Sequence, residues 1–205
     1  MKNENAKHSN NRFILASASP RRRGLLAEWG FSFDVVPSPV DEPDAGLQEG
    51  SPAEVAKALA EFKAEQVARV HPDAIVLGAD TVVALDGTLY GKAEDAADAR
   101  RILSTLMHHT HEVITGVAII DGRTGRREVA ADESLITMTP MTPSQLDAYI
   151  ESGMWHGKAG AYGVQDHDDQ FVKQLDGSFT NVVGLPKDLV IAVLARFGLE
   201  PSSTS

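Results

Sequence analysis

Stretches with apolar residues at helical spacing alternate along this chain with short apolar runs, and the alternation predicts helices and strands in turn. The clearest helix is 52–70, where Ser51 supplies an N-cap and Pro52 fits the first helical position. The clearest strand is 74–79, whose unbroken apolar run indicates burial on both faces. The turn GRTG at 122–125 joins two apolar segments as in a hairpin.

The same patterns predict the remaining elements. Further strands are expected at 13–19, 32–37, 112–121 and 127–137, with one or two more within 170–184. Further helices are expected at 20–30, 94–107 and 143–152, and after Pro186. Strands that alternate with helices and include one hairpin indicate an α/β fold, with a mixed central sheet and flanking helices.

One domain over 13–198 accounts for these elements, with disordered tails expected at 1–12 and 199–205. No apolar run approaches the roughly 20 residues needed to cross a bilayer, and the polar N-terminus lacks the apolar region of a secretory signal. The chain has no cysteine, which excludes disulfides and thiolate metal sites. We therefore expect a cytoplasmic protein without a membrane partner.

The formal net charge of -10 argues against binding to nucleic acid polymers or anionic membranes, which requires a broad basic surface. Positive clusters are therefore informative in this chain. The first cluster follows a predicted strand: Ser17 and Ser19 lie on one face, and Pro20 begins a helix whose N-terminus attracts anions. Arg21 and Arg22 can bind phosphate oxygens there. The equally weighted alternative is a helix cap followed by solvated arginines.

Three further residues suggest phosphate chemistry. Asp80 interrupts the apolar segment VLGADTVV and is expected at the carboxyl end of a strand, where it can bind Mg²⁺ or orient a water molecule. A capping role at a strand end is the common alternative. Lys92 and Lys158 follow glycines, so each is a mobile charge on a loop that a ligand can approach. Each of these features is weak when taken alone.

Six ordered motifs carry a resemblance that covers 13–198. "LASASPRRRGLL", "GADTVV", a nearby "GK", "THEVITGVAI", "KAGAYGVQ" and "GSFTNVVGLP" resemble the Maf family of nucleoside triphosphate pyrophosphatases. The resemblance implies a Maf/ITPase-like fold with two lobes around a nucleotide cleft, and a homodimer. It also implies hydrolysis of a nucleoside triphosphate to the monophosphate and pyrophosphate, with Mg²⁺ or Mn²⁺ as the divalent cation.

The resemblance also implies roles for individual residues. Asp80 matches the catalytic residue that accepts a proton from the attacking water, and it is a candidate metal ligand. Glu42 matches a second candidate metal ligand, although the neighbouring Asp41 aligns as an alternative. The positions that match polar or basic groups around the triphosphate are Ser17, Arg21, Arg22, Lys63, Lys92 and Lys158.

Substrate preference is implied at three positions. Arg21, Thr81 and Gln165 resemble the branch that acts on dTTP, UTP and modified uridine triphosphates. The amide of Gln165 offers a donor and an acceptor, which match the O4 and N3–H edge of a pyrimidine. Tyr162 is expected either to stack on a base or to belong to the core. The alternatives are a pyrophosphatase for 7-methyl-GTP or for ITP and XTP, and a nucleotide-binding regulator of septum formation without significant turnover.

Several other features are expected to lie outside the chemistry. The acidic segment 166–170 departs from the family pattern and is expected to be a solvated loop. The three histidines near the end of the predicted helix 94–107 match no zinc spacing. Trp155 and His156 are expected at a lobe surface or a dimer contact.

Overall fold

The computed structural model describes residues 12–39, 49–164 and 171–202. Its strands are β1 (Arg12–Leu15), β2 (Asp34–Val35), β3 (Ala74–Leu85), β4 (Thr88–Tyr90), β5 (Thr110–Asp121), β6 (Arg127–Met138) and β7 (Val172–Asp176). Its helices are α1 (Pro20–Glu28), α2 (Pro52–Val70), α3 (Ala96–Leu106), α4 (Pro143–Ser152), α5 (Phe179–Val183) and α6 (Lys187–Arg196). Within these ranges, no helix combines the length and the apolar character needed to span a membrane.

The strands form one mixed sheet. Its order is β2-β1-β3-β5-β6-β7, and β4 pairs with β3 beside this path. β1 runs parallel to both β2 and β3, whereas the pairs from β3 through β5 and β6 to β7 are antiparallel. The predicted α/β fold with a mixed sheet is therefore confirmed.

One edge of β3 is covered only in part. On its other side, β3 pairs with β5 from Ile75 to Ala84. On this edge, β1 covers residues 74–77 and β4 covers residues 83–85. Within the described residues, no strand lies beside residues 78–82 on this edge, and the cleft described below opens at this gap.

Helix α2 lies unusually close to the sheet. A Cβ atom added to Gly116 would lie 2.1 Å from the carbonyl oxygen of Ala56, and one added to Gly78 would lie 2.4 Å from that of Ala60. Both distances are well below contact distance, so only glycine fits at these two strand positions. Because the backbone of α2 sits directly on β3 and β5, Lys63 on this helix reaches the gap in β3.

The opposite face of the sheet carries the larger part of the core. Buried residues of α1, α3, α4 and α6 pack there with those of the sheet and the 155–164 segment, and they include Leu26, Leu103, Leu106 and Leu194. The molecule therefore has three layers: α2, the sheet, and the remaining helices.

One predicted strand needs correction, and one helix was not predicted. The strand predicted at 74–79 continues to Leu85, because β5 and β4 supply hydrogen-bonding partners beyond Ala79. The segment 170–184 holds one strand and the short helix α5. Its N-cap is Ser178, whose hydroxyl accepts a hydrogen bond from the Asn181 N–H, so local capping converts the second half of this segment into helix.

The predicted tails are described only in part. Arg12, assigned to the N-terminal tail, begins β1. At the other end, Leu199 packs against the core and the Ser202 N–H donates a hydrogen bond of 2.9 Å to the carbonyl of Gly30. The structure therefore holds residues 199–202 against the body of the protein. The rest of the predicted tails, 1–11 and 203–205, lies outside the described residues.

Candidate active site

A cleft of about 690 Å³ opens at the gap in β3. This volume lies within the usual range for small-molecule sites. One part of its lining is the turn between β1 and α1 with the first turn of α1, and another is the segment 156–164. Charged side chains on this lining, within the described parts of the chain, are Arg21, Arg22, Lys63, Asp80, Lys92 and Lys158. Asp80 is the sole carboxylate among them.

The turn before α1 presents a helix N-terminus to the cleft. β1 ends at Leu15, and Ser19 caps α1 by accepting a hydrogen bond from the Arg22 N–H. The hydroxyl of Ser17 accepts a hydrogen bond of 3.2 Å from the Ser19 N–H, which fixes the turn. Arg21 is exposed on the first turn of the helix and lines the cleft. This end of α1 favours an anion, because its free N–H groups and dipole are positive.

Asp80 and Lys63 form a buried ion pair at the gap. The Lys63 ammonium donates to Asp80 Oδ1 at 2.5 Å, and the two residues are 7% and 9% exposed. Asp80 was expected at the carboxyl end of its strand, but it lies in the middle of β3, beyond the point where the neighbouring β1 ends. The gap in strand pairing, rather than a strand end, gives the carboxylate its access to the cleft. Lys63 compensates the charge of Asp80 and fixes one of its oxygens.

Lys92 and Lys158 belong to two loops that are tied together. Lys92 forms a β-bridge with Ala159. The Gly160 N–H donates hydrogen bonds of 3.1 Å to the carbonyls of Tyr90 and Gly91. The backbone contacts hold the two lysines on the same wall of the cleft, although they are 66 positions apart in the sequence.

Arg22 is buried and makes hydrogen bonds within the protein. Its Nε donates to the Gly184 carbonyl at 2.9 Å, and its Nη1 donates to the Ala79 carbonyl at 2.8 Å and to Ser17 Oγ at 3.4 Å. Its Nη2 donates to Thr81 Oγ1 at 3.0 Å. The carbonyl of Ala79 lies on the uncovered edge of β3, where no described strand supplies a donor, and Arg22 supplies it instead. The phosphate contact expected for Arg22 stays a prediction.

Tyr162 lies between the cleft and the core. Its ring lines the cleft and packs with the core, and its hydroxyl is 2.6 Å from Nε2 of the buried His111. Burial lowers the pKa of His111 to about 4 and raises the pKa of Tyr162, so both groups are neutral near pH 7. The preceding residue Ala161 has φ +60°, a conformation that non-glycine residues rarely adopt. The pair therefore anchors a strained turn of the cleft wall.

A family model described as Maf-like protein matches residues 12–197, nearly the whole chain. The chain belongs to the Maf family. Among curated Maf relatives, the dTTP/UTP pyrophosphatase of Bacillus pumilus is 42% identical over 192 residues, which cover 93% of this chain and 99% of the relative. The protein of the same name from Moorella thermoacetica is 42% identical over 189 residues, covering 92% and 96%. That of Pelotomaculum thermopropionicum is 41% identical over 186 residues, covering 90% and 96%.

The Maf motifs converge on the cleft. The predicted site residues that line it are Ser17, Arg21, Arg22, Lys63, Asp80, Thr81, Lys92 and Lys158. Glu42, Gln165 and the acidic segment 166–170 lie outside the described residues.

Sequence reasoning missed His156 as a residue of the cleft. Its ring stacks on Trp155, with centroids 3.7 Å apart and planes 20° apart, and it lines the cleft beside Gly157. His156 Nδ1 is 2.7 Å from the Gly153 carbonyl, which fixes the ring. Its position two residues before Lys158 is the signal that was available in the sequence.

Proposed function

We propose that this chain is a nucleoside triphosphate pyrophosphatase that hydrolyses dTTP and UTP to the monophosphate and pyrophosphate. The observation that carries the proposal is a single carboxylate, Asp80, in a described cleft lining that otherwise contributes five Lys and Arg side chains. The whole chain has a net charge of -10, so this local excess of positive charge favours a polyanionic ligand. The names of the curated relatives supply the substrate class.

The triphosphate is held by positive groups on two walls. The N-terminus of α1, with Ser17 and Arg21, supplies backbone and side-chain donors on one side. Lys92 and Lys158 supply two ammonium groups on the tied loops. These fixed charges stabilise the negative charge that develops on the phosphate oxygens during displacement.

Asp80 acts as the general base in this proposal. Lys63 occupies Oδ1, and no described residue donates a hydrogen bond to Oδ2, which is therefore available to a water molecule. As the water oxygen bonds to the α-phosphorus, its proton passes to Asp80 and the bond from that phosphorus to the bridging oxygen breaks. Pyrophosphate leaves, and the nucleoside monophosphate remains.

The donor set fits a divalent cation that arrives with the substrate. Mg²⁺ is usually held by one or two carboxylates together with substrate phosphates and water, and Asp80 supplies one carboxylate. The described residues contain no group of three potential ligand side chains, so they form no all-protein cage. We assign Asp80 to Mg²⁺ or Mn²⁺, with Glu42 as the second ligand. The ion, when bound, neutralises charge on the phosphates.

Pyrimidine preference is assigned to Arg21, Thr81 and Gln165. The Gln165 amide is proposed to pair with the O4 and N3–H edge of the base. In the same proposal the protein is a homodimer and works in the cytoplasm.

A substrate panel tests the function. Purified protein is incubated with Mg²⁺ or Mn²⁺ and dTTP, UTP, 7-methyl-GTP, ITP or the common triphosphates, and pyrophosphate is separated from orthophosphate. We expect pyrophosphate from dTTP and UTP in preference to the others. Orthophosphate as the first product, or no product from any nucleotide, would overturn the proposal; a preference for 7-methyl-GTP or ITP would correct the substrate.

A further inference from the structure

A buried chain of hydrogen bonds runs from Arg22 across the sheet. Arg22 Nη2 donates to Thr81 Oγ1 at 3.0 Å, and Thr81 Oγ1 lies 2.9 Å from Thr115 Oγ1. The Thr115 hydroxyl donates to the Asn181 carbonyl at 2.8 Å. Because a hydroxyl has one hydrogen, Thr115 must accept from Thr81, and Thr81 must accept from Arg22. Every donor in the chain therefore points the same way, from α1 to α5.

The guanidinium also supplies a hydrogen-bond donor to the uncovered edge of β3. Ala16 N–H donates to the Leu77 carbonyl, as in the β1–β3 ladder, and the next outward carbonyl on that edge, that of Ala79, accepts from Arg22 Nη1. Arg22 Nε caps the Gly184 carbonyl at the end of α5. Gly184 has φ +121°, and a Cβ atom there would lie 3.2 Å from Arg22 Nε, so the backbone leaves space for this side chain.

We propose that Arg22 is a positioning residue for Asp80. In this proposal the Thr81–Thr115 hydroxyl pair sets the orientation of the Arg22 guanidinium. Asp80 lies between the two residues that Arg22 holds, Ala79 and Thr81. The guanidinium therefore holds the backbone carbonyl before the carboxylate and the threonine hydroxyl after it, in a stretch that has a described strand on only one side. In this proposal Arg22, the second arginine of the SPRRR sequence, holds the site in shape, and the exposed Arg21 binds phosphate.

The geometry explains why arginine is required. Arg22 serves Gly184, Ala79 and Thr81 from three nitrogens of one planar group, each aimed in a different direction. A lysine in its place would keep the charge, but its single ammonium cannot span these acceptors. Arg22→Lys therefore distinguishes a requirement for positive charge at position 22 from a requirement for the geometry of the guanidinium donors.

The test uses four variants of the full chain. Arg22→Lys keeps the positive charge and loses the three guanidinium donors that point in different directions. Thr115→Val removes the hydroxyl of a fully buried residue that does not line the cleft, whereas Thr115→Ser retains a hydroxyl. Thr110→Val is the matched control, because it breaks an exposed threonine pair of 2.8 Å, with Thr137, that joins the same strand β5 to its other neighbour β6.

Turnover is the first readout, and it rests on the proposed function. We expect Arg22→Lys and Thr115→Val to lower kcat for dTTP by about 10- to 100-fold, since displacement of a catalytic group by about 1 Å has effects of this size. KM should change by less than about threefold, because the phosphate ligands are intact. Thr115→Ser and Thr110→Val should stay near the wild type. A normal kcat for Thr115→Val, or wild-type values of both kcat and KM for Arg22→Lys, would overturn the proposal.

Amide hydrogen exchange is the second readout and needs no activity. Exchange at residues 79–82 should be faster in Arg22→Lys and Thr115→Val than in Thr110→Val, while exchange elsewhere in β3 stays unchanged. Equal protection in all variants would contradict the positioning role even if the wild type hydrolysed no nucleotide. Absence of turnover in a wild type whose variants show the expected exchange would instead contradict the proposed function alone. If Arg22→Lys fails to fold, the Thr115→Val and Thr115→Ser pair decides.

Discussion

Replacing Gly116 by alanine tests whether the close packing of α2 against the sheet determines both the stability of the fold and the geometry of the site. The added Cβ would lie 2.1 Å from the Ala56 carbonyl oxygen and 2.3 Å from its carbon. Both neighbours are backbone atoms of α2 and cannot rotate away. Restoring an ordinary contact requires α2 to move from β5 by about 1 Å. The movement would be carried along the helix to Lys63, two turns away, and would disturb its contact with Asp80.

The cost follows from the overpacking. Extra carbon forced into a tightly packed core destabilises a protein by about 1–3 kcal/mol. For a chain of this size, each kcal/mol lowers the melting temperature by roughly 2–4 °C. We therefore expect Gly116→Ala to lower the melting temperature by about 2–12 °C. The rate of dTTP hydrolysis by the folded variant should fall as well, because the contact between Lys63 and Asp80 depends on the position of α2 against the sheet.

Thermal unfolding followed by circular dichroism measures the loss. The matched control is Gly24→Ala, on the exposed side of α1, where an added Cβ would meet nothing within 4 Å. That change should stabilise the protein by about 0.5–1 kcal/mol, because alanine is the better helix former. If Gly116→Ala melted within 1 °C of the wild type and retained full turnover, the inferred contact between α2 and β5 would be wrong.

Three further predictions concern the buried polar pairs. Because burial lowers the pKa of His111 to about 4, the unfolded chain binds a proton between pH 6.5 and 4 that the folded chain does not. Stability should therefore fall by up to about 3 kcal/mol as pH drops through this window, and denaturant titrations should show a smaller fall in His111→Gln. Tyr162→Phe leaves His111 Nε2 without its partner and should cost about 1–3 kcal/mol at pH 7, measured by the same titration. Lys63→Met leaves the Asp80 carboxylate without its cation, and steady-state assays should show kcat/KM lowered on the order of 100-fold; unchanged kcat/KM would remove Lys63 from the site.

Helix limits with strong local signals were predictable from the sequence. Both α2 and α4 have the predicted bounds, because Ser51 with Pro52 and Thr142 with Pro143 supply caps and prolines at their first turns. The extension of β3 was not predictable, since residues 80–85 are in a strand only because β4 and β5 lie beside them. Helix α5 has five residues, which is too short for a periodic pattern.

The candidate site was predictable to the extent that its motifs were. Residues such as Asp80 and Lys158 could be named from motif and spacing, and the structure places them on one cleft. Hydrogen bonds between residues far apart in the sequence could not be predicted. Arg22 contacts Gly184 across 162 positions, and only the folded chain reveals that its guanidinium is directed to backbone acceptors. Its local sequence, three adjacent arginines, carries no sign of this difference from Arg21.

The central claim is that this cleft hydrolyses nucleoside triphosphates with Asp80 as the base. The most direct test compares pyrophosphate release from dTTP by the wild type and by Asp80→Asn, with nucleotide affinity measured separately for each. The variant keeps the volume of the side chain and removes its ability to accept the proton. We expect kcat to fall by about 10²- to 10⁴-fold with nucleotide still bound. A variant that releases pyrophosphate at nearly the wild-type rate would contradict the account.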